Sequence, residues 1–127
     1  MDHEGSYIHS HGLNRETGKR DKNFQGYGRF LTASTGEYYF RTIKPVAYPG
    51  RTPHIHVKVH VKNQEVLTTQ FFIAGEKQNQ RDGVFEDIDS LEAQRTVLSE
   101  FAPLKESKAG ELVAKYEVVL GMSPTGI

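Results

Sequence analysis

The sequence predicts an all-β fold, an antiparallel β-sandwich or open barrel with long loops and one short helix. Three observations carry this. The run His54-Ile55-His56-Val57-Lys58-Val59-His60-Val61 alternates strictly between polar and apolar residues. Other short segments rich in β-branched and aromatic residues are separated by Gly, Pro and Asn. A single stretch, Ile88 to Ala102, has its apolar residues at a roughly helical spacing.

Each element can be justified in chain order. Residues 1–27 are polar, with many Gly, His, Arg and Lys, and read as loop. Gly28 to Ala33 reads as a strand, Ser34-Thr35-Gly36-Glu37 as a turn with Gly where positive φ is needed, and Tyr38 to Ile43 as a second strand. Pro45 to Pro53 is a turn-rich connection. The alternating strand His54 to Val61 places Ile55, Val57, Val59 and Val61 on one face and His54, His56, Lys58 and His60 on the other. Lys62-Asn63-Gln64-Glu65 reads as a hairpin loop, Val66 to Ile73 as its return strand, and 74–87 as polar loop. Asp89 or Ser90 suits the cap of a helix over Ile88 to Ala102, which Pro103 would stop. Val113 to Leu120 alternates again and closes the core.

The length of 127 residues points to a single domain, 1–127. Sixteen basic residues balance sixteen acidic ones, which gives no electrostatic pull towards nucleic acid or an anionic membrane. The absence of cysteine excludes disulfides, thiolate metal sites and cysteine nucleophiles. No apolar run approaches the ~20 residues of a membrane span. The opening residues Met1-Asp2-His3-Glu4-Gly5 lack the basic and apolar regions of a signal peptide. The expected compartment is the cytoplasm, with export as the alternative.

The sharpest chemical feature is His54-Ile55-His56. Two residues apart on a strand, the imidazoles point the same way and can share one metal ion. The competing account is the solvated polar face of an antiparallel sheet. A metal needs further donors. His3, His9 and His11 offer some, in a glycine-rich setting that also suits solvated loop residues. A cupin would place Glu three or four residues after the His pair, where this chain has His60 and Val61. Tyr48-Pro49-Gly50-Arg51 suits a type II turn, which would fold Tyr48 back towards the His strand and set Arg51 beside it. Read alone, Tyr48 is equally a packed turn aromatic, Arg51 a surface charge and Tyr7 a packing residue.

The combination is more specific than its parts. Gly26-Tyr27-Gly28-Arg29, Thr42-Ile43-Lys44-Pro45, Tyr48-Pro49-Gly50-Arg51-Thr52-Pro53-His54-Ile55-His56 and Leu67-Thr68-Thr69-Gln70 together resemble the intradiol ring-cleavage dioxygenases, most nearly the protocatechuate 3,4-dioxygenase type. Asp2 to Tyr7 resembles the segment holding that family's first iron tyrosine. The resemblance implies a β-sandwich of the intradiol type and a non-haem Fe(III) held by Tyr7, Tyr48, His54 and His56. Phenolates are hard anionic donors and imidazole suits iron, so this donor set favours a ferric ion. It further implies that a catecholic substrate is cleaved by O2 to a cis,cis-muconate-type diacid. In that chemistry Tyr48 takes a substrate proton, Arg51 stabilises the anionic ring, and Gln70 lies near the substrate.

Family members usually carry strands before the first tyrosine, whereas here Met1 stands six residues before Tyr7, and the chain has no tryptophan. The expectation is a homo-oligomer, or a partner chain that supplies the missing strands. Two rival readings follow. One is a truncated, non-catalytic fragment that binds iron or a catechol. The other is a small metal-binding module using His54, His56 and the His3/His9/His11 group.

Overall fold

The computed structural model describes residues 26–127. Tyr7 and the group His3, His9 and His11 lie outside the described residues, as do the expected loop residues up to 25. The chain divides into two compact units at Pro49/Gly50. Across the described residues strands predominate and helices are few and short.

In the first unit the turn forms as the sequence predicts. The Gly36 N–H donates to the Ala33 carbonyl at 3.0 Å, and Gly36 takes φ 73°. The strands expected over 28–33 and 38–43 do not form; these segments adopt no regular element. Strand propensity expresses itself only through a ladder and a buried face. Here Leu31, Tyr39 and Phe40 are exposed, and the rings pack locally instead, Phe30 on Tyr39 at 5.2 Å and Phe30 on Phe40 at 6.1 Å. A Cβ on Gly28 would come within 3.2 Å of the Phe40 ring, so this close approach depends on glycine. Tyr38 is half-buried, and that burial raises its hydroxyl pKa.

The second unit is built on one hairpin. Strand β1 spans His54–Val61 and β2 spans Gln64–Ile73, paired antiparallel with His54 opposite Phe72, His56 opposite Gln70 and Lys58 opposite Thr68. The loop is shorter than the expected four residues. Lys62 (φ 50°) and Asn63 (φ 64°) alone form it, the two left-handed positions that match the twist of a tight hairpin. A bulge between Val59 and His60 breaks the alternation, so His60 pairs with Glu65.

β2 is the central strand. On its far side a two-residue strand, β3 (Leu98–Ser99), runs parallel at Phe72 and Ile73. Further back the Gly126 N–H donates to the Thr68 carbonyl at 2.8 Å. With neighbours on both sides, Leu67 and Thr69 to Ile73 are all buried.

One face of the hairpin carries the core, where Phe72 packs with Phe85, Ile88 and Val97. On the other face Phe71 stacks on Tyr116 with ring centroids 4.1 Å apart, and the Tyr116 hydroxyl donates to the Phe72 carbonyl at 2.6 Å. Ile55, Val57 and Val59 are only half-buried.

Three other expectations are corrected. The stretch 74–87 is not plain loop: it holds a 3-10 helix at Lys77–Arg81 and helix α1 at Gly83–Glu86. The helix expected over Ile88 to Ala102 shrinks to α2, Leu91–Thr96. Ser90 caps it through a hydrogen bond from the Ala93 N–H at 3.1 Å. Its end precedes Pro103 because the Val97 carbonyl accepts from the Phe72 N–H at 2.8 Å, and the edge of β2 captures the backbone. Pro103 falls instead in β4 (Ala102–Pro103), paired with β5 (Leu112–Val113). The strand expected over Val113 to Leu120 is therefore confined to its first residue, since Tyr116 is drawn onto Phe71.

The core assignment is tested by contrast. Phe72, at 0% exposure, should lose about 3–5 kcal/mol of stability on replacement by alanine. Leu91, at 73% exposure, should lose within about 0.5 kcal/mol. Urea denaturation measures both.

Candidate functional site

The segment Arg51-Thr52-Pro53-His54 feeds β1 and carries the polar cluster of the second unit. Gly50 takes φ 79°, the left-handed value required at the third position of a type II turn, so the Pro49-Gly50 reading from sequence holds locally. Tyr48 lies just before that turn, half-buried, in the first unit.

His54 is 7% exposed, while His56, Lys58 and His60 are exposed. The polar face is thus a solvated face from His56 onward and a buried one at His54, whose ring lies 6.4 Å from Phe72. The His54 and His56 rings meet edge to face, with centroids 4.9 Å apart. His54 Nδ1 lies 2.7 Å from the Thr52 carbonyl oxygen. A carbonyl only accepts, so Nδ1 carries the proton and Nε2 the lone pair. This is the outer-shell arrangement that orients a metal-ligating histidine. Burial lowers the His54 pKa to about 4; the bond to the Thr52 carbonyl opposes that shift, and the Arg51 charge adds to it. His54 is neutral at physiological pH, as a ligand must be.

The structure brings Arg51 and Gln70 into contact. Arg51 Nη2 donates to Gln70 Oε1, and Gln70 stands opposite His56 on the neighbouring strand. Arg51 Nε donates to Asp82 Oδ2 at 2.8 Å. The Thr52 N–H donates to the same oxygen at 2.8 Å. Asp82 Oδ1 accepts from the Val84 and Phe85 N–H groups at 3.0 and 3.1 Å and caps α1. Burial opposes the Asp82 charge, but the hydrogen bonds from Arg51, Thr52 and Phe85 outweigh it and hold the carboxyl pKa below its usual value. Behind them, Thr52 Oγ1 donates to Asn79 Oδ1 at 2.7 Å, and Asn79 Nδ2 donates to the Ile73 carbonyl at 2.9 Å.

Sequence reasoning missed Asp82, Asn79 and Thr52. Asp82 before Gly83-Val84-Phe85 carries a cap signal, but a four-residue helix starting on glycine gives no periodicity to recognise. Asn79 had no signal beyond its polarity.

Two imidazoles on one strand, one of them oriented by a backbone carbonyl, lie beside an arginine–glutamine contact and make a candidate centre for a metal and an anionic ligand. The donor chemistry fits an iron ion in part: two imidazoles face one way, one with its tautomer fixed. Among the described residues no group of three or more His, Asp or Glu side chains converges as a metal site. Further donors would have to be of another kind.

No family model matches the chain. The chain is similar to the protocatechuate 3,4-dioxygenase beta chain of Burkholderia cepacia, 30% identical over 124 residues, covering 91% of this chain and 52% of that protein. This is a distant relation to a dioxygenase, and the chain spans about half the length of the curated relative it matches.

The His54 environment yields a pH prediction. Its pKa falls from 6.5 in the unfolded chain to about 4 in the fold. Unfolding therefore takes up protons between these values. The contribution of His54 to stability is complete above pH ~6.5 and is lost as pH falls towards about 4. Thermal midpoints should drop over that range in the parent and drop less in His54→Gln.

Proposed function

We propose that this chain is a non-haem Fe(III) intradiol dioxygenase, or the catalytic half of one, acting on a catechol- or protocatechuate-like ring. The observation that carries this reading is the His54–His56 pair, with His54 oriented by the Thr52 carbonyl, beside the Arg51–Gln70 contact. The similarity to a protein named protocatechuate 3,4-dioxygenase beta chain supports it. The fold belonging to this reading is a β-sandwich of the intradiol type, with 1–127 as one catalytic domain. A homo-oligomer or a partner chain completes it; the relative is itself named as one chain of an assembly. The compartment that goes with this reading is the cytoplasm, with export as the alternative. No helix among the described residues is long and apolar enough to cross a membrane.

In this reading His54 and His56 bind the iron through imidazole nitrogen, and Tyr48 and Tyr7 bind it as phenolates. A ferric ion held by these residues would withdraw electron density from a catecholate and make its ring reactive towards O2. The Tyr48 phenolate oxygen accepts one of the two catechol protons. Arg51 faces the negative charge that builds on the ring oxygens, in a setting where a fixed cation acts more strongly than in water. Gln70 holds Arg51 from the neighbouring strand. The bond between the two hydroxylated carbons breaks, and both atoms of O2 end in the carboxyl groups of the diacid.

A second reading, a fragment that binds iron or a catechol without turnover, is favoured by one observation, the 52% coverage of the relative. Iron content and oxygen uptake separate the two. The dioxygenase reading predicts about one iron per site in the purified chain and O2 consumption with catechol or protocatechuate. His54→Ala and His56→Ala should each lose most of the iron. Arg51→Ala should keep the iron and slow turnover about 100-fold or more. Full iron occupancy in both histidine variants would overturn the site, and iron without oxygen uptake would favour the fragment.

A further inference from the structure

We propose that Asp82 is the positioning residue of this site: its Oδ2 fixes the Arg51 guanidinium on the His54–His56 face, where the anionic oxygens of a catecholate are to be met. The inference rests on the proposed function and adds to it a residue that neither the sequence nor the similarity assigned.

Asp82 does two separate jobs with its two oxygens. Oδ1 caps α1 through the Val84 and Phe85 N–H groups. Oδ2 takes Arg51 Nε and the Thr52 N–H, both at 2.8 Å. Capping alone does not call for a charge, since serine, threonine or asparagine serves as well. Nor does a four-residue helix justify an ionised carboxylate whose side chain is fully buried. The arginine does justify it.

The clamp also fixes direction. With Nε on Asp82 and Nη2 on Gln70, two neighbouring edges of the planar guanidinium are held, and its orientation follows. Gln70 is the cross-strand partner of His56, so the two side chains stand on the same face of the sheet. The guanidinium therefore belongs to the face that carries both imidazoles, and its side chain keeps 20% exposure towards solvent. A cation held this way needs no reorganisation when charge develops next to it. The same Oδ2 also holds Thr52, whose carbonyl oxygen orients His54.

The test is Asp82→Asn in the full iron-loaded chain. Its amide oxygen can still cap α1, while its NH2 group meets two donors and cannot hold Arg51. In the iron-free chain the Arg51 Nε–H resonance should exchange slowly in the parent and become fast, like that of an exposed arginine, in Asp82→Asn. The kcat for catechol should fall about 10- to 100-fold with KM little changed. Adding Asp82→Asn to Arg51→Ala should cost much less than Asp82→Asn does alone, the remainder passing through Thr52 to His54. Asp82→Glu, which restores the carboxylate, should recover part of the rate. Arg51 that stays protected in Asp82→Asn, or an equal loss of kcat in the Arg51→Ala background, would overturn the proposal. If Asp82→Asn fails to fold, Arg51→Lys leaves the cap intact and removes the fixed fork. A similar fall in kcat there supports the role, and an unchanged kcat overturns it. If the parent chain consumes no oxygen, the dioxygenase reading fails by itself, and the exchange rate of the Arg51 signal alone decides whether Asp82 positions it.

Discussion

A single buried carboxylate ties the site to the fold. Asp82 accepts four hydrogen bonds, two from the first turn of α1 and two from the segment leading into β1. These elements lie about thirty residues apart in sequence, and the Thr52–Asn79 contact links the same two stretches of chain. A charge at this depth is tolerated because every partner is in place, and removing one partner strands the rest. The loop 74–87 is therefore a structural support of the strand that carries the histidines, although its composition is that of a surface connection.

The strand itself owes its position to β2. That strand has neighbours on both sides and places side chains in two separate packing environments. Phe72 turns to the core of α1 and α2, while Phe71 meets Tyr116 on the other face. His54 lies opposite Phe72 and so enters the buried side of the sheet, whereas His56, one pleat further, faces water. The pair thus has one member oriented by the protein and one open to the solvent side.

Legibility in the sequence followed the range of the interaction. The alternating strand His54–Val61, its hairpin partner and the Ser90 cap were readable because their signals are local. The Tyr48-Pro49-Gly50-Arg51 turn was readable because glycine fixes the backbone there. The short α2 was not, because β2 captures Val97 and ends the helix early. The strands expected around Phe30 and Phe40 failed for the complementary reason, since propensity without a ladder gives only a packed aromatic segment. Of the candidate residues, His54, His56, Arg51 and Gln70 belong to a motif readable in the sequence, and the fold sets His54 beside His56 and Arg51 on Gln70. Asp82 and Asn79 were invisible, because a buried carboxylate or amide resembles a surface one until its partners are known.

The central claim is that oriented imidazoles and tyrosine phenolates hold a ferric ion that a catechol can reach. Visible absorption of the purified chain, before and after anaerobic addition of catechol, tests it directly. The account predicts a red-brown phenolate-to-iron charge-transfer band that moves to longer wavelength when catechol binds. A protein that stays colourless after ferric iron is supplied would contradict it, because phenolate ligation of ferric iron cannot be colourless.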